Sequence, residues 1–116
     1  MEDGTKEYEE YREYFMEQLY MDSLLADYPF EKETLYEILE LLVETVCSRR
    51  KTIRIAGDDK PAQIVKSRLM KLNGEHIRYV LACMKENTTK VRNIRQYLLA
   101  ALYNAPATIS IIMPPL

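Results

Sequence analysis

Apolar residues recur along this chain mostly at helical spacing, and five stretches carry that pattern. Residues 5–27 place Tyr8, Tyr11, Phe15 and Leu19 on one face with glutamates around them, which predicts an amphipathic helix, broken near Asp22-Ser23. Tyr28-Pro29 ends it, because a residue before proline is pushed out of the α region. Residues 31–48 carry the longest stripe, Leu35, Ile38, Leu39, Leu42, Val43 and Val46, at the i, i+3, i+4, i+7 spacing of a core helix. Glu31 and Glu33 fall in its first turn, the end of a helix that favours acids.

Thr52-Ile53-Arg54-Ile55 alternates polar and apolar, which predicts a short extended segment, and Ala56-Gly57-Asp58-Asp59 follows as a turn. Asp58 or Asp59 then caps a helix over about 60–72, with Pro61 in its first turn and Val65, Leu69 and Leu72 inward. Asn73 caps a helix over about 74–86 with Ile77, Val80, Leu81 and Met84 inward. Asn87-Thr88-Thr89 ends that helix and caps the last, about 90–104, with Val91, Ile94, Leu98, Ala101 and Leu102 inward and Pro106 closing it. The sum is an all-α, compact bundle of about five helices with one short extended segment. Residues 1–116 form a single domain: an acidic, linker-derived first helix over 1–28, a helical core over 29–109 and an irregular tail over 110–116.

Charge changes this picture. Residues 1–46 hold 14 of the 18 Asp and Glu but 3 of the 16 Lys and Arg, and residues 47–116 hold 13 Lys and Arg against 4 acids, so the total of −2 conceals two opposed halves. Such asymmetry points to a nucleic-acid or charged-protein surface. The plainer account is that acidic early helices pair with basic later ones inside one domain. Cys47 and Cys83 stand apart, with no CxxC, and read as reduced thiols of a cytoplasmic protein. The N-terminus lacks a signal peptide's basic and apolar regions, and the apolar end, Ile109 to Leu116, is too short to cross a bilayer.

Catalysis has little to work with. His76 is the single histidine and lacks a second ligand or an oriented partner, so no enzyme, metal or cofactor is expected. The basic residues are more informative. Arg49, Arg50, Lys51 and Arg54 cluster within six positions, more than a helix C-terminus requires. Lys66 and Lys71, with Lys60, extend the basic surface, and Lys90 opens the last helix. In that helix Arg92, Arg95, Gln96, Leu99 and Tyr103 lie opposite the core stripe. Such a face neutralises phosphates and stacks bases, docks a protein, or is solvated surface, and all three readings stay open. Arg68 lies nearer the core edge, the place for a partly buried arginine paired with a carboxylate.

The run Val43 to Gly57 (VETVCSRRKTIRIAG) resembles a signature of RepA_N-type plasmid and conjugative-element replication initiators. The resemblance continues through Pro61-Ala62, Val65 to Arg68, Leu72-Asn73, His76-Ile77, Glu86 to Ile94, Gln96 to Leu99 and Leu102 to Pro106. It implies a DnaD-like C-terminal domain that couples an origin-bound initiator to host replication proteins (helicase loader, initiator or primase) and contacts single-stranded DNA. In that family a winged-helix domain precedes it. Residues 1–116 hold no such segment, and Ser110 to Leu116 departs from the polar tail of the family. The expected role is an adaptor binding DNA or protein through Arg49–Arg54 and the last helix. A purely protein-binding or homo-oligomerising domain is the alternative.

Overall fold

In the computed structural model residues 5–87 and 93–112 are described, with side chains at 86–87 and 108–112 left aside. The described residues form six helices and one hairpin: α1 (Thr5–Gln18), α2 (Met21–Asp27), a 3-10 turn (Pro29–Glu31), α3 (Lys32–Cys47), β1 (Thr52–Ile55), β2 (Asp58–Pro61), α4 (Ala62–Met70), α5 (Gly74–Asn87) and α6 (Ile94–Ile112).

The predicted stripe puts α3 at the centre, where α1, α2, α4 and α6 all pack on it. Leu35, Leu39, Leu42 and Val43 are fully buried. Leu41 and Thr45 are buried as well, outside the predicted stripe, because neighbours cover more than one side of the helix. A helix enclosed this way must satisfy its polar groups internally. Thr45 does so by donating from Oγ1 to the Leu41 carbonyl at 2.7 Å.

The first predicted helix breaks at Leu19-Tyr20, not at Asp22-Ser23. Tyr20 is left-handed (φ 54°, ψ 55°), while Leu19 is fully buried. The start of α5 lies against this junction: a Cβ on Gly74 would sit 3.0 Å from the Leu19 carbonyl oxygen, so glycine permits the approach. Phe15 is also fully buried, with Tyr8 and Tyr11 packed on the core beside it. Across α1 and α3, Arg12 pairs with Glu40 at 3.1 Å, and the Tyr8 hydroxyl donates to the same carboxylate. The acidic first helix is therefore part of the packed domain.

Asp58 and Asp59 belong to β2 and do not cap α4. The hairpin is antiparallel, with Thr52 opposite Pro61 and Ile55 opposite Asp58. Its two-residue turn, Ala56-Gly57, has φ of 52° and 89°, the positive pair that matches hairpin twist. Asp59 pairs across the strands with Arg54 at 3.4 Å. Pro61, expected inside the first turn, takes the capping position just before α4, and the Ala62 amide donates to the Lys51 carbonyl at 2.9 Å. Ile53 and Ile55 turn inward, as the alternation requires.

Asn73 caps α5 as predicted: its Oδ1 accepts from the amides of Glu75 and His76 at 2.9 and 3.3 Å. The return bond completes a capping box, with the Asn73 amide donating to Nδ1 of His76 at 3.0 Å. This is the structural task of the single histidine. Burial pushes the His76 pKa below its ordinary 6.5, against an opposing pull from Glu75. The folded chain thus holds fewer protons there than the unfolded chain. The stability from this cap is complete above about pH 6.5 and declines as pH falls through the lowered value. Urea midpoints between pH 7.5 and 5 should fall. In His76→Gln, whose amide oxygen accepts the same bond, the decline should be shallower.

Proline 106 does not close the last helix, which runs on to Ile112. Proline costs about 3 kcal/mol in a helix interior, but Leu98, Leu102 and Ala105, which precede it, are fully buried and hold the helix on the core. Asn93 caps it, its Oδ1 accepting from the Gln96 amide at 3.1 Å. The predicted start at 90 and the inward Val91 lie outside the described residues. Ile94, predicted inward, is 41% exposed, since it begins the helix beyond its packed middle.

Candidate nucleic-acid interface

The basic cluster sits where α3 ends. Cys47 is the last helical residue and Ser48 turns extended. The Ser48 carbonyl accepts from Lys66 Nζ at 2.6 Å, so α4 supplies the cation that complements this helix C-terminus. Arg49, Arg50 and Lys51 are not needed for that task. Their side chains are exposed and carry no ion pair or side-chain hydrogen bond among the described contacts. The Arg50 amide donates to Ser48 Oγ at 3.2 Å, which steadies the backbone under them.

Two clefts flank this segment. One, about 520 Å³, lies between the end of α3 and the start of α4, and Arg49, Arg50, Lys51 and Lys66 face a single acid there, Glu7. Ser48 and Gln63, which nothing in the sequence pattern marks, line it too. The start of α4 has no side-chain cap, which adds the positive end of a helix to the cleft. The second, about 440 Å³, runs between α3, β1 and α6 and is lined by Arg50, Arg54, Arg95 and Glu44. Arg50 and Ser48 border both. Cys47 lines the first cleft, but burial raises its thiol pKa, Glu7 adds to the rise and Lys66 opposes it, so it is a poor nucleophile.

The other predicted site residues fall elsewhere. Arg54 is engaged by Asp59 and by the Gly57 carbonyl at 3.1 Å. Lys71 stands exposed at the far end of α4. Lys90 and Arg92 lie outside the described residues. Arg95 bridges to Glu37 at 2.8 Å and to Glu44, tying α6 to α3. The Glu37 hydrogen bond raises its pKa, partly opposed by desolvation.

Tyr103 was expected on the surface and is 6% exposed. Arg68 lies over its ring, 4.3 Å from the centroid. Tyr103 is thus a packing residue, and Arg68 rests on an aromatic face in place of the expected carboxylate. The last helix turns this way because α3, α4, α5 and β1 pack around it, a width of contact that its spacing does not reveal. Arg78, not singled out in the sequence, pairs with Asp27 at 2.7 Å.

No group of His, Cys, Asp and Glu among the described residues is arranged to hold a metal. No helix among them is long and apolar enough to cross a membrane. Neither Cys47 nor Cys83 forms a disulfide.

The fold and this edge define a mostly α-helical domain, built on one central helix, with an uncompensated basic segment at its hairpin. The chain belongs to a family of unknown function, DUF6017, whose profile matches residues 3–113. No curated protein and no solved structure matches it.

Proposed function

We propose that this domain is a non-enzymatic adaptor of a plasmid-type replication initiator, DnaD-like in role, that contacts single-stranded DNA through Arg49, Arg50, Lys51 and Lys66. The observation that carries this reading is selective compensation. Arg12, Arg54, Arg78 and Arg95 each form an ion pair with a carboxylate, whereas the three consecutive cations at the end of α3 form none among the described ion pairs. Internal pairing thus accounts for part of the charge asymmetry and leaves this segment over. Phosphates are the ligand that such a segment neutralises most simply, and the sequence resemblance across the same run, Val43 to Gly57, supports a replication role. In this reading the preceding partner is the initiator's winged-helix domain, and host replication proteins engage the remaining surface.

Fluorescence anisotropy with labelled single-stranded DNA at two salt concentrations tests the proposal. Three to four phosphate contacts predict a log–log slope of roughly −2 to −3. Arg95→Gln should bind DNA within about twofold of the wild type, because its guanidinium is occupied by Glu37 and Glu44, and should lose up to about 1 kcal/mol of stability, as exposed pairs do. Absence of binding at low salt would sink the DNA role. A protein-only adaptor is the second reading, and Phe30, 95% exposed on the turn before α3, is the observation that favours it.

A further inference from the structure

The far end of α1, roughly 20 Å along the helix from Glu7, carries a surface of opposite chemistry. Tyr20 is 70% exposed and its ring makes no contact among the described interactions. It stands between two adjoining clefts of about 400 and 370 Å³ that share Tyr20 and Asn73. Tyr14 and Glu17 line the first; Glu75 and Arg78 line the second. The Tyr14 hydroxyl donates to the Met70 carbonyl at 2.7 Å and its ring meets Phe15 edge-on, 5.2 Å between centroids, so this aromatic wall is fixed in place. Arg78 is already committed to Asp27 and lies 5.5 Å from the Tyr28 ring centroid. Glu17 and Glu75 have no cationic partner among the described ion pairs.

Two exposed tyrosine rings, two carboxylates without a described ion pair and, among the lining residues, no cation but the paired Arg78 form a surface complementary to positive charge. Rings attract cations over their faces, and carboxylates complete the charge and hydrogen bonding of a guanidinium or ammonium group. A phosphate backbone would be repelled. We infer that the α1–α2 junction docks an arginine- or lysine-bearing peptide segment of a partner protein, with one cationic side chain in the cleft of Tyr14, Tyr20 and Glu17 and a second beside Glu75. This inference stands apart from the DNA reading, since it uses the opposite end of α1 and the opposite sign of charge.

The test is a nitrogen-15 NMR titration of the domain at low salt with a blocked peptide carrying two arginines in a glycine–serine background. Its glutamine counterpart is the control. Saturable shifts are expected for backbone amides of residues 14–24 and 73–78 with the arginine peptide and not with the control. Tyr20→Gly should weaken binding about five- to tenfold. Glycine suits the left-handed backbone there, so this variant should melt no lower than the wild type, and its loss of binding cannot come from unfolding. Glu17→Gln should weaken binding several-fold. Wild-type affinity in Tyr20→Gly would overturn the inference, as would shifts spread evenly over Glu9, Glu10 and Glu13, the mark of diffuse charge attraction. A concentration series without peptide that moves these amides together with those of Arg49–Lys51 would make a second copy the occupant and overturn the partner-protein assignment.

Discussion

Replacing Arg49, Arg50 and Lys51 together with glutamine should lower affinity for single-stranded DNA about a hundredfold at low salt and make the log–log salt slope shallower by about 2. Each lost phosphate contact on a single strand removes roughly 0.7 from the slope, and the difference in affinity grows as salt falls. The fold should survive, because all three side chains are exposed and the helix end behind them is held by Lys66 on the Ser48 carbonyl. Equilibrium urea unfolding should therefore give a midpoint close to the wild type. The result is decisive because these cations do no structural work that would explain a loss of binding indirectly. An unchanged slope would place any DNA contact elsewhere, and the protein-only reading, with Phe30 as its anchor, would take precedence.

Phe15→Ala should cost about 3–5 kcal/mol, a large part of the stability of a domain this size. Phe15 has no exposed surface and sits where α1 packs on α3. Truncation removes the transfer energy of the ring and leaves a cavity that two rigid helices cannot close. Urea unfolding followed by circular dichroism measures it, with a single cooperative transition shifted to lower denaturant. A cost below about 1 kcal/mol, or a separate early transition, would show that α1 is a dispensable appendage and not part of the core. The Arg12–Glu40 pair across the same helices is worth less, since both partners are more than a third exposed.

Much of the secondary structure was legible in the sequence, for local reasons. The stripe from Leu35 to Val46 has the period of a core helix, Ile53 and Ile55 alternate as a half-buried strand, and Asn73 is a residue that caps helices wherever its side chain reaches two amides. The errors arose where a local signal met a tertiary demand. Pro106 is a helix breaker by its own chemistry, yet the buried residues that precede it, Leu98, Leu102 and Ala105, hold α6 to the core. Asp58 and Asp59 read as caps, but cross-strand pairing with β1 claims them, and Arg54 takes up Asp59. Tyr20 breaks the first helix because Leu19 is buried beneath the close approach of Gly74, which no spacing along α1 announces.

The candidate site divides in the same way. The sequence by itself determined that cations crowd residues 49–54 and that the first half is acidic, because these follow from residue type and order. Only the tertiary structure decided which charges are spent. It set Arg95 against Glu37 and Glu44 and Arg78 against Asp27, turned Tyr103 inward beneath Arg68, and left Arg49, Arg50 and Lys51 facing solvent beside Lys66. Pairing depends on which helix faces cross in space, over separations of 51 and 58 residues for the salt bridges of α5 and α6. Periodicity reports the inner face of each helix and carries no information about which outer faces will meet.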